Sequence, residues 1–483
     1  MFVIGAFLVQ TAVAPAPRPL GPPDASLAHE FVRVYSLWER PDGRIVVVDR
    51  GDELLAIADF ARGTVTRIGR VGGGPEEYRF PGRLVPMGGD SLIVADDGNN
   101  RLAVLGPDLR IHRVTSGNAP GRPTELTPRA VDSKGRFYAV IPGWALSTRG
   151  EEPDSLPLVR FVPGAKPVET VARLKGSPRP PPPPRRDRPT YPVLVFAPGD
   201  AWAATPAGRV AIVRAADYRV EWIEPDGRRT TGPSVAWKPI AVVDRDRYDF
   251  TRGTLATTGT SGKGGVDRPP GGLSAVSADM LTDKAIGELV ANTRFAKTKG
   301  AFTDAAPIIA PDGSLWVERS TPAGASSTWV VFDGRGRPSA SWQLPAGRRL
   351  AGIGRGRVYL VATDPDGIER LERVSVLRRD PAHEGPADEP KPVAEGEPAQ
   401  VGADDALGEV GRLGVVDGDV DHDRAAGRRD PAGVLDHLVD VRIPLEAHPL
   451  NPDRLSQAGH VILGQDARRL PTECRSLELR DLG

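Results

Sequence analysis

The chain has 483 residues, of which 39% are hydrophobic, and it contains 55 glycines and 49 prolines. This composition favours a globular protein of short strands and many turns over a mainly helical one. The formal net charge is zero, and the single cysteine, Cys474, excludes both an intrachain disulfide and a cysteine metal site.

The zero net charge is a cancellation between two unlike segments. Residues 380–483 hold 22 acidic and 11 basic side chains, whereas residues 1–379 hold 41 acidic and 52 basic ones. The basic excess is spread over a long segment without a dense Lys/Arg run. We therefore expect a solvated basic surface and no nucleic-acid partner.

The N-terminal segment Met1–Ala14 is uncharged and apolar, and it ends in a small-x-small pattern at Ala12–Ala14. It resembles the later part of a signal peptide, which predicts a periplasmic or extracellular protein. No Lys or Arg precedes the apolar run and Pro15 follows the cleavage pattern, so an ordinary buried strand is the alternative. The run is too short to cross a bilayer as a helix, and we expect no stable membrane insertion.

Six segments share a tight turn followed by an apolar strand. Each has a glycine where the turn needs a positive φ, and then the β-branched and aromatic residues of a buried strand. The six are PDGRIVVVD from Pro41, GGDSLIVAD from Gly88, SKGRFYAVI from Ser133, PAGRVAIVR from Pro206, PDGSLWVER from Pro311 and GRGRVYLVA from Gly354. A strand precedes each first turn, and a second strand and turn follow it. Each unit thus offers up to four antiparallel strands, as a propeller blade does.

The spacing of the turn glycines locates two insertions. The intervals between Gly43, Gly89, Gly135, Gly208, Gly313 and Gly356 are 46, 46, 73, 105 and 43 residues. Three of them suit one four-stranded blade, and two are too long. The first excess contains the proline run of residues 179–192, which cannot pair in a sheet. The second spans Ile240 to Gly300 and includes the helix-like sequence SADMLTDKAIGELVANT.

The sixth repeat ends early, because ERLERVSVLR is its last clear strand. We predict that the stretch Ala25–Glu30 supplies the missing outer strand and so removes two exposed sheet edges. The predicted fold class is all-β, a six-bladed β-propeller with two long loop insertions and a largely unstructured C-terminal tail. The expected boundaries are 1–27 for a signal-peptide remnant and linker, 28–378 for the propeller and 379–483 for the tail.

The repeats resemble the six-bladed β-propeller proteins common among exported bacterial proteins, a group related to NHL-repeat propellers. The resemblance rests on RIVVVDRGDELLAIAD at Arg44–Asp59, IGRVGGGPEEYRFP at Ile68–Pro81, GDSLIVADDGNNRLAVL at Gly89–Leu105 and FAKTKGAFTDAAPIIAPDGSLWVER at Phe295–Arg319. It covers about residues 28–378 and implies a fold rather than an activity. Propellers of this kind serve as protein-binding scaffolds, sugar-binding modules, lactonases and lyases.

The last 104 residues differ from the repeats in composition. Residues 380–483 contain no Phe, Tyr, Trp or Met, one lysine (Lys391), and five of the seven histidines of the chain. A coding sequence translated out of frame is one hypothesis for such a composition, and a natural acidic disordered tail is the other.

Few residues offer metal or acid-base chemistry. Asp49, Asp96 and Asp364 recur at the ends of equivalent strands, and they could hold a cation such as Ca²⁺ if all three faced the channel. The favoured interpretation is that each carboxylate caps a local turn by accepting backbone N–H groups, because a residue that recurs with the repeat serves the repeat. His29 and His112 lack the spacing of a metal site. The glycine run of residues 69–77 precedes a further blade rather than a helix, so we interpret it as a connection between blades and not as a phosphate loop.

Basic side chains beside the two insertions are the candidates for contact with a partner. They are Arg185, Arg186 and Arg188 next to the prolines, and Lys297 and Lys299 at the end of the second insertion. Simple solubility is the alternative interpretation of these charges. Six tryptophans in the blade strands are expected in the core between blades, namely Trp202, Trp222, Trp237, Trp316, Trp329 and Trp342.

The sequence favours an exported, monomeric propeller without catalysis or cofactor, which binds a protein, peptide or glycan through loops on one face. The segments expected to line the channel, GRLVPMG, PRAVDSK, AWAATPAG and APIIAPDG, are poor in metal ligands. The alternative is a lactonase-like hydrolase or lyase with a cation, Ca²⁺ for example, in the central channel.

Overall fold

The structure is a computed structural model that describes residues 11–115, 128–146, 153–178, 194–259 and 282–376. These residues belong to the first of two units into which the chain divides, Met1–Asp388 and Glu389–Gly483. The tail predicted for 379–483 lies outside the described residues, as do Arg185, Arg186 and Arg188.

Six sheets with four antiparallel blade strands each confirm the predicted six-bladed propeller. The four strands are sequential in blades 1 to 5, and the N-terminal segment supplies the fourth strand of blade 6. Blades 1 to 3 consist of Val34–Glu39, Ile45–Asp49, Leu54–Asp59 and Thr64–Arg67; Pro81–Pro86, Leu92–Asp96, Arg101–Leu105 and Ile111–Thr115; and Ala130–Val131, Phe137–Val140, Ser155–Phe161 and Glu169–Lys175. Blades 4 to 6 consist of Ala201–Ala204, Val210–Arg214, Arg219–Ile223 and Arg229–Thr231; Ile308–Ile309, Leu315–Arg319, Thr328–Phe332 and Pro338–Gln343; and Arg348–Gly354, Arg357–Thr363, Glu369–Ser375 and Ala25–Ser26.

The six turn glycines adopt the backbone conformation that the sequence predicts. Their φ angles lie between 66° and 83°, in the left-handed region that only glycine enters without a steric penalty. Each turn joins the first strand of its blade to the second, so the repeat seen in the sequence is the first hairpin of every blade.

The blades close into a ring. The first strand of each blade contacts the first strand of the next, and that of blade 6 contacts that of blade 1, so the first strands surround the central channel. Each pair of neighbouring blades shares one apolar cluster. Four of the predicted core tryptophans, Trp202, Trp222, Trp316 and Trp329, are buried in these clusters, and Trp237 and Trp342 pack against them half-buried.

The N-terminal segment completes blade 6, as predicted. Ala25 and Ser26 pair antiparallel with Arg373 and Glu372 and form the fourth strand. Backbone hydrogen bonds continue the ladder from Leu27 N–H to the Leu371 carbonyl and in both directions between Phe31 and Glu369.

Upstream residues of the same segment lie along two other sheets. Arg18–Pro19 pairs parallel with Trp342–Gln343 at the outer edge of blade 5, and Thr11–Ala12 pairs parallel with Ser234–Val235. We call residues 11–31 the N-terminal strap. The first residues of the strap include the end of the predicted signal segment, and a cleavage after Ala14 would remove only its first two-residue strand.

The remaining elements belong to the connections between blades, except the two 3-10 turns, which join the second and third strands of blades 2 and 3. They are the short strands Arg70–Val71, Glu77–Tyr78, Ile240–Ala241 and Thr298–Lys299, the 3-10 turns Asp97–Asn99 and Gly143–Ala145, and the helices Asp244–Gly259 and Asp283–Asn292. The second helix confirms the predicted helical sequence, and the Thr282 hydroxyl caps it by accepting the Ala285 N–H. Neither helix of the described part is long and apolar enough to cross a membrane.

Candidate functional site

One end of the channel carries nearly all of the long connections. Because neighbouring strands are antiparallel, the start of each first strand lies beside the turn between the second and third strands, as the pairing of Pro81 with Asp96 shows. The connections between blades, including the described ends of both insertions, reach the same end. We call this end the loop face, and the turns that contain the six glycines lie at the opposite end.

Bulges interrupt the first strands of blades 1 and 2 where they reach the loop face. In blade 1, Tyr35 is the extra residue between Val34 and Ser36. In blade 2, the register between the first and second strands shifts across Gly82 and Arg83. A bulge places an extra residue outside the ladder and redirects its side chain. The first strands border the channel, and Tyr35 is accordingly exposed although its neighbour Val34 is buried.

Beside these bulges, side chains from the turns between the second and third strands of blades 1 and 2 contact each other. Arg50 Nη2 lies 3.0 Å from Asp97 Oδ2, and the Arg50 guanidinium carbon lies 4.8 Å from the centroid of the Tyr35 ring. A Cβ atom at Gly82 would stand 2.5 Å from Asp97 Oδ2, so glycine permits this approach. Burial raises the pKa of Asp97, and the charge of Arg50 partly offsets that effect.

Two more arginines lie at this mouth, and the charge of one of them, Arg83, lowers the pKa of Asp97 in the same way as that of Arg50. Arg83 lies in the first strand of blade 2, and Arg129 immediately precedes that of blade 3. Burial lowers the pKa of Arg129, and the nearby positive charge of Arg83 lowers it further. In the described ranges neither guanidinium has a hydrogen bond or an ion pair, although Arg129 lies 5.9 Å from the ring centroid of Trp202. Two adjacent unpaired cations favour an anion between them.

By contrast, Arg349, in the first strand of blade 6, makes hydrogen bonds through its guanidinium group. Arg349 Nη2 lies 2.7 Å from Glu369 Oε2 and also donates to the carbonyl of Val34. Glu369 is buried and accepts the Val34 N–H as well. Arg349 therefore joins blade 6 to blade 1 and is not available to a ligand.

The three aspartates predicted as cation ligands are bound by local donors. Asp49 accepts the N–H groups of Val32, Arg33 and Gly51. Asp364 accepts those of Asp366 and Ile368.

Asp96 organises the connection that contains the glycine run. It accepts the Arg79 N–H at 2.6 Å, the Asn99 amide and Arg101 Nε at 2.6 Å. Asn99 in turn donates to the Gly72 carbonyl, and Arg101 donates to those of Gly73, Gly74 and Glu77. The next element is the first strand of blade 2, so the glycine run is the connection between blades that the sequence predicts.

These carboxylates do not form a cation site with one another. Nowhere in the described part of the chain do three or more His, Cys, Asp or Glu side chains lie close enough together to hold a metal ion. A calcium ion needs six to eight oxygen ligands, and the oxygens of Asp49, Asp96 and Asp364 already accept local hydrogen bonds. The donor set does not fit the Ca²⁺ that the lactonase-like alternative would need.

The two lysines predicted to contact a partner have different environments. Lys297 is exposed. Lys299 is buried, with Nζ 2.6 Å from Asp246 Oδ1 and 2.7 Å from the Thr321 carbonyl. A surface role needs an exposed ammonium group, so Lys299 is corrected to an internal contact that fixes the first helix against blade 5.

Sequence reasoning missed Tyr35, Arg83 and Arg129. Two of them stood in segments that it had correctly assigned to the channel, GRLVPMG and PRAVDSK. An arginine is not a metal ligand, so a metal-site interpretation of these segments does not include it. The sequence feature that points to two of them is an arginine near the start of two consecutive first strands, Arg83 in blade 2 and Arg129 directly before blade 3.

Comparison with known proteins identifies neither a matching family model nor a matching curated protein. Solved structures with a similar fold include a gluconolactonase from Xanthomonas campestris, at 13% identity and TM-score 0.35 over 74% of this chain and 98% of that chain. A virginiamycin B lyase from Staphylococcus aureus matches at 9% identity and TM-score 0.31, over 75% of this chain and 89% of that chain. The calcium-binding protein regucalcin from Agrobacterium tumefaciens matches at 13% identity and TM-score 0.33, over 74% of this chain and 97% of that chain. Likenesses this distant carry no inference about chemistry, and the fold rests on the strand pairing described above.

Proposed function

We propose that this protein is a binding module whose loop face takes up an anionic group of a protein, peptide or glycan partner at the mouth of the channel. The observation that carries the proposal is the pair of neighbouring guanidinium groups of Arg83 and Arg129, which make no hydrogen bond or ion pair with the residues that the structure describes. Arginine presents a planar set of donors that matches carboxylate, sulfate and phosphate groups. Tyr35 adds an exposed aromatic surface beside them.

The proposal includes an exported, monomeric protein related to NHL-repeat propellers. The segment Met1–Ala14 supports export, and the pattern of Asp96, Asn100 and Arg101 supports the relationship. Lys297 adds positive charge to the second insertion, and the proposal assigns to it and to the cluster Arg185, Arg186 and Arg188 a contribution to the long-range attraction of an acidic partner.

Binding of polyanions to matched arginine variants tests the proposal. We expect the double variant Arg83→Gln/Arg129→Gln to bind polygalacturonate and poly-L-glutamate at least about tenfold more weakly, because a hydrogen bond to a charged group contributes about 1.5–3 kcal/mol. Isothermal titration calorimetry at two salt concentrations provides the measurement. The control Arg110→Gln/Arg335→Gln removes two exposed arginines from turns at the opposite end. Equal weakening in both double variants would show unspecific attraction to a basic surface and contradict the proposal.

The alternative is a lactonase-like hydrolase or lyase with a cation in the channel. It needs oxygen ligands that converge on the axis, whereas the three predicted carboxylates accept local hydrogen bonds. Turnover of a lactone that requires added Ca²⁺ and is unchanged in Arg83→Gln/Arg129→Gln would replace binding by this alternative.

A further inference from the structure

Three phenylalanines bring the two insertions into contact. Phe196 follows the first insertion, Phe250 lies in the helix Asp244–Gly259, and Phe295 lies near the end of the second insertion. The ring centroid of Phe250 lies 5.6 Å from that of Phe196 and 6.1 Å from that of Phe295, and the latter two centroids are 5.9 Å apart. Phe250 is 37% exposed, and the other two rings are half-buried. We call these three side chains the aromatic cluster.

Backbone contacts fix the aromatic cluster in place. The Val195 N–H donates to the Arg294 carbonyl at 3.0 Å, and the Val195 carbonyl accepts the Ala296 N–H at 2.9 Å. Phe196 has a φ of 66°, in the left-handed region that is strained for a residue with a side chain. Its carbonyl accepts the Gly300 N–H at 3.0 Å. Strain of this kind persists only where the surrounding contacts hold it, and it is concentrated at functional sites.

The helix that carries Phe250 buries polar side chains and exposes aromatic ones. Asp246 and Thr251 are each 6% exposed, whereas Tyr248 and Phe250 are 39% and 37% exposed. Asp246 Oδ1 lies 2.6 Å from Nζ of the buried Lys299. A surface helix usually turns its apolar side chains towards the core. This helix is instead attached through an ion pair, and its aromatic side chains remain accessible.

Two exposed cations flank Phe295 in the sequence. Arg294 and Lys297 are both exposed, and neither side chain makes a hydrogen bond or an ion pair with the residues that the structure describes. The aspartates of the helix, by contrast, have basic partners: Asp244 lies 2.9 Å from Arg247, Asp246 lies 2.6 Å from Lys299, and Asp249 lies 3.5 Å from Arg245. The described part of the second insertion holds seven basic and five acidic side chains. Its charge therefore complements an acidic partner.

We propose that the aromatic cluster is a docking site for an acidic peptide segment of a partner protein. An aromatic or large aliphatic side chain of the segment covers the rings, and its carboxylates lie at Arg294 and Lys297. The surface contains neither Arg83 nor Arg129, so the inference goes beyond the proposed function and assigns a second contact. Removal of the exposed ring of Phe250 from water favours binding, and the exposed ion pairs contribute selectivity more than affinity.

Short peptides with blocked ends test the inference. The probe has a central phenylalanine, two aspartates on each side of it and glycines at both ends. One companion peptide has alanine at the centre, and another has lysines in place of the aspartates. Calorimetric titration of Arg83→Gln/Arg129→Gln, which lacks the mouth arginines, isolates the aromatic cluster. We expect the acidic phenylalanine peptide to bind about tenfold more tightly than either companion, because only it supplies both the apolar side chain and the carboxylates.

Substitutions at the aromatic cluster are introduced in the same background. Phe250→Ala should remove the advantage of phenylalanine over alanine, and Arg294→Gln/Lys297→Gln should remove the preference for aspartate over lysine. The matched controls, which change exposed side chains of blades 2 and 5, are Val114→Ala and Arg110→Gln/Arg335→Gln. We expect both controls to bind as the background does. Melting curves show whether each variant is folded, and the charge variant remains decisive if Phe250→Ala unfolds.

The outcomes separate this inference from the proposed function. An unchanged affinity for the phenylalanine peptide in folded Phe250→Ala would refute the docking site, whatever the mouth binds. A loss in Phe250→Ala without any effect of Arg294→Gln/Lys297→Gln would refute the acidic partner. Cellohexaose that binds more tightly than every peptide and is lost in Phe250→Ala would identify a sugar platform instead. A dimer in sedimentation that Phe250→Ala disrupts would identify a second copy of the chain as the occupant and overturn the inference as well.

Discussion

Deletion of residues 15–30 is expected to lower the free energy of unfolding by about 5 kcal/mol or more, because it removes the fourth strand of blade 6 and two buried leucines. Leu20 and Leu27 are 6% and 1% exposed, and the burial of a leucine contributes about 1.5–3 kcal/mol. The deletion also breaks the contact of Arg373 Nε with Asp24, at 2.7 Å. The third strand of blade 6 would then become an open edge, which invites aggregation.

Thermal melting of the full chain and of two deletions measures this effect. A loss of about 5 kcal/mol corresponds to a decrease of the melting temperature on the order of 10 °C. The control is deletion of residues 1–14, which removes the predicted signal segment and, within the described residues, the short pairing of Thr11–Ala12 and the contact of Ala14 with the cluster between blades 4 and 5. We expect that control to melt near the full chain. An unchanged melting temperature after deletion of 15–30 would show that the ring does not depend on the strap.

The sequence was sufficient for the ring because each blade repeats the same local chemistry. Glycines with positive φ, such as Gly43 and Gly313, are imposed by the hairpin itself. The closing strand was predictable for a different reason. A blade with three strands leaves an unpaired edge, and the stretch before blade 1 was the nearest segment able to cover it.

The site was not predictable to the same degree, because it depends on contacts between blades. The bulges at Tyr35 and Arg83 become visible only when the first and second strands are paired. The ion pair that buries Lys299 joins Asp246, 53 residues upstream in the second insertion, to the end of that insertion. A single sequence contains no signal for such distant partners, and their charges alone suggest an exposed surface.

Replacement of Asp96 by alanine is expected to cost about 3 kcal/mol, because it removes one partner of a buried ion pair. Asp96 is fully buried, and Arg101 retains 18% side-chain exposure. The variant leaves the Arg79 N–H and the Asn99 amide without their acceptor, so the connection that carries the glycine run loses its anchor. Since Asp97 follows directly, we expect weaker polyanion binding at the mouth as well. Urea unfolding and calorimetric titration provide the two measurements.

The equivalent change at Asp364 provides the contrast and decides between capping and cation binding. Asp364 accepts the same kind of turn N–H groups, but it is partly exposed, so water can replace it and Asp364→Ala should cost about 1 kcal/mol. Under capping, added Ca²⁺ changes the stability of neither variant relative to the wild type. A cation held by both carboxylates would instead stabilise the wild type as its concentration rises above the dissociation constant. That stabilisation would disappear in both variants, and its observation would restore the cation site that the hydrogen bonds of Asp49, Asp96 and Asp364 oppose.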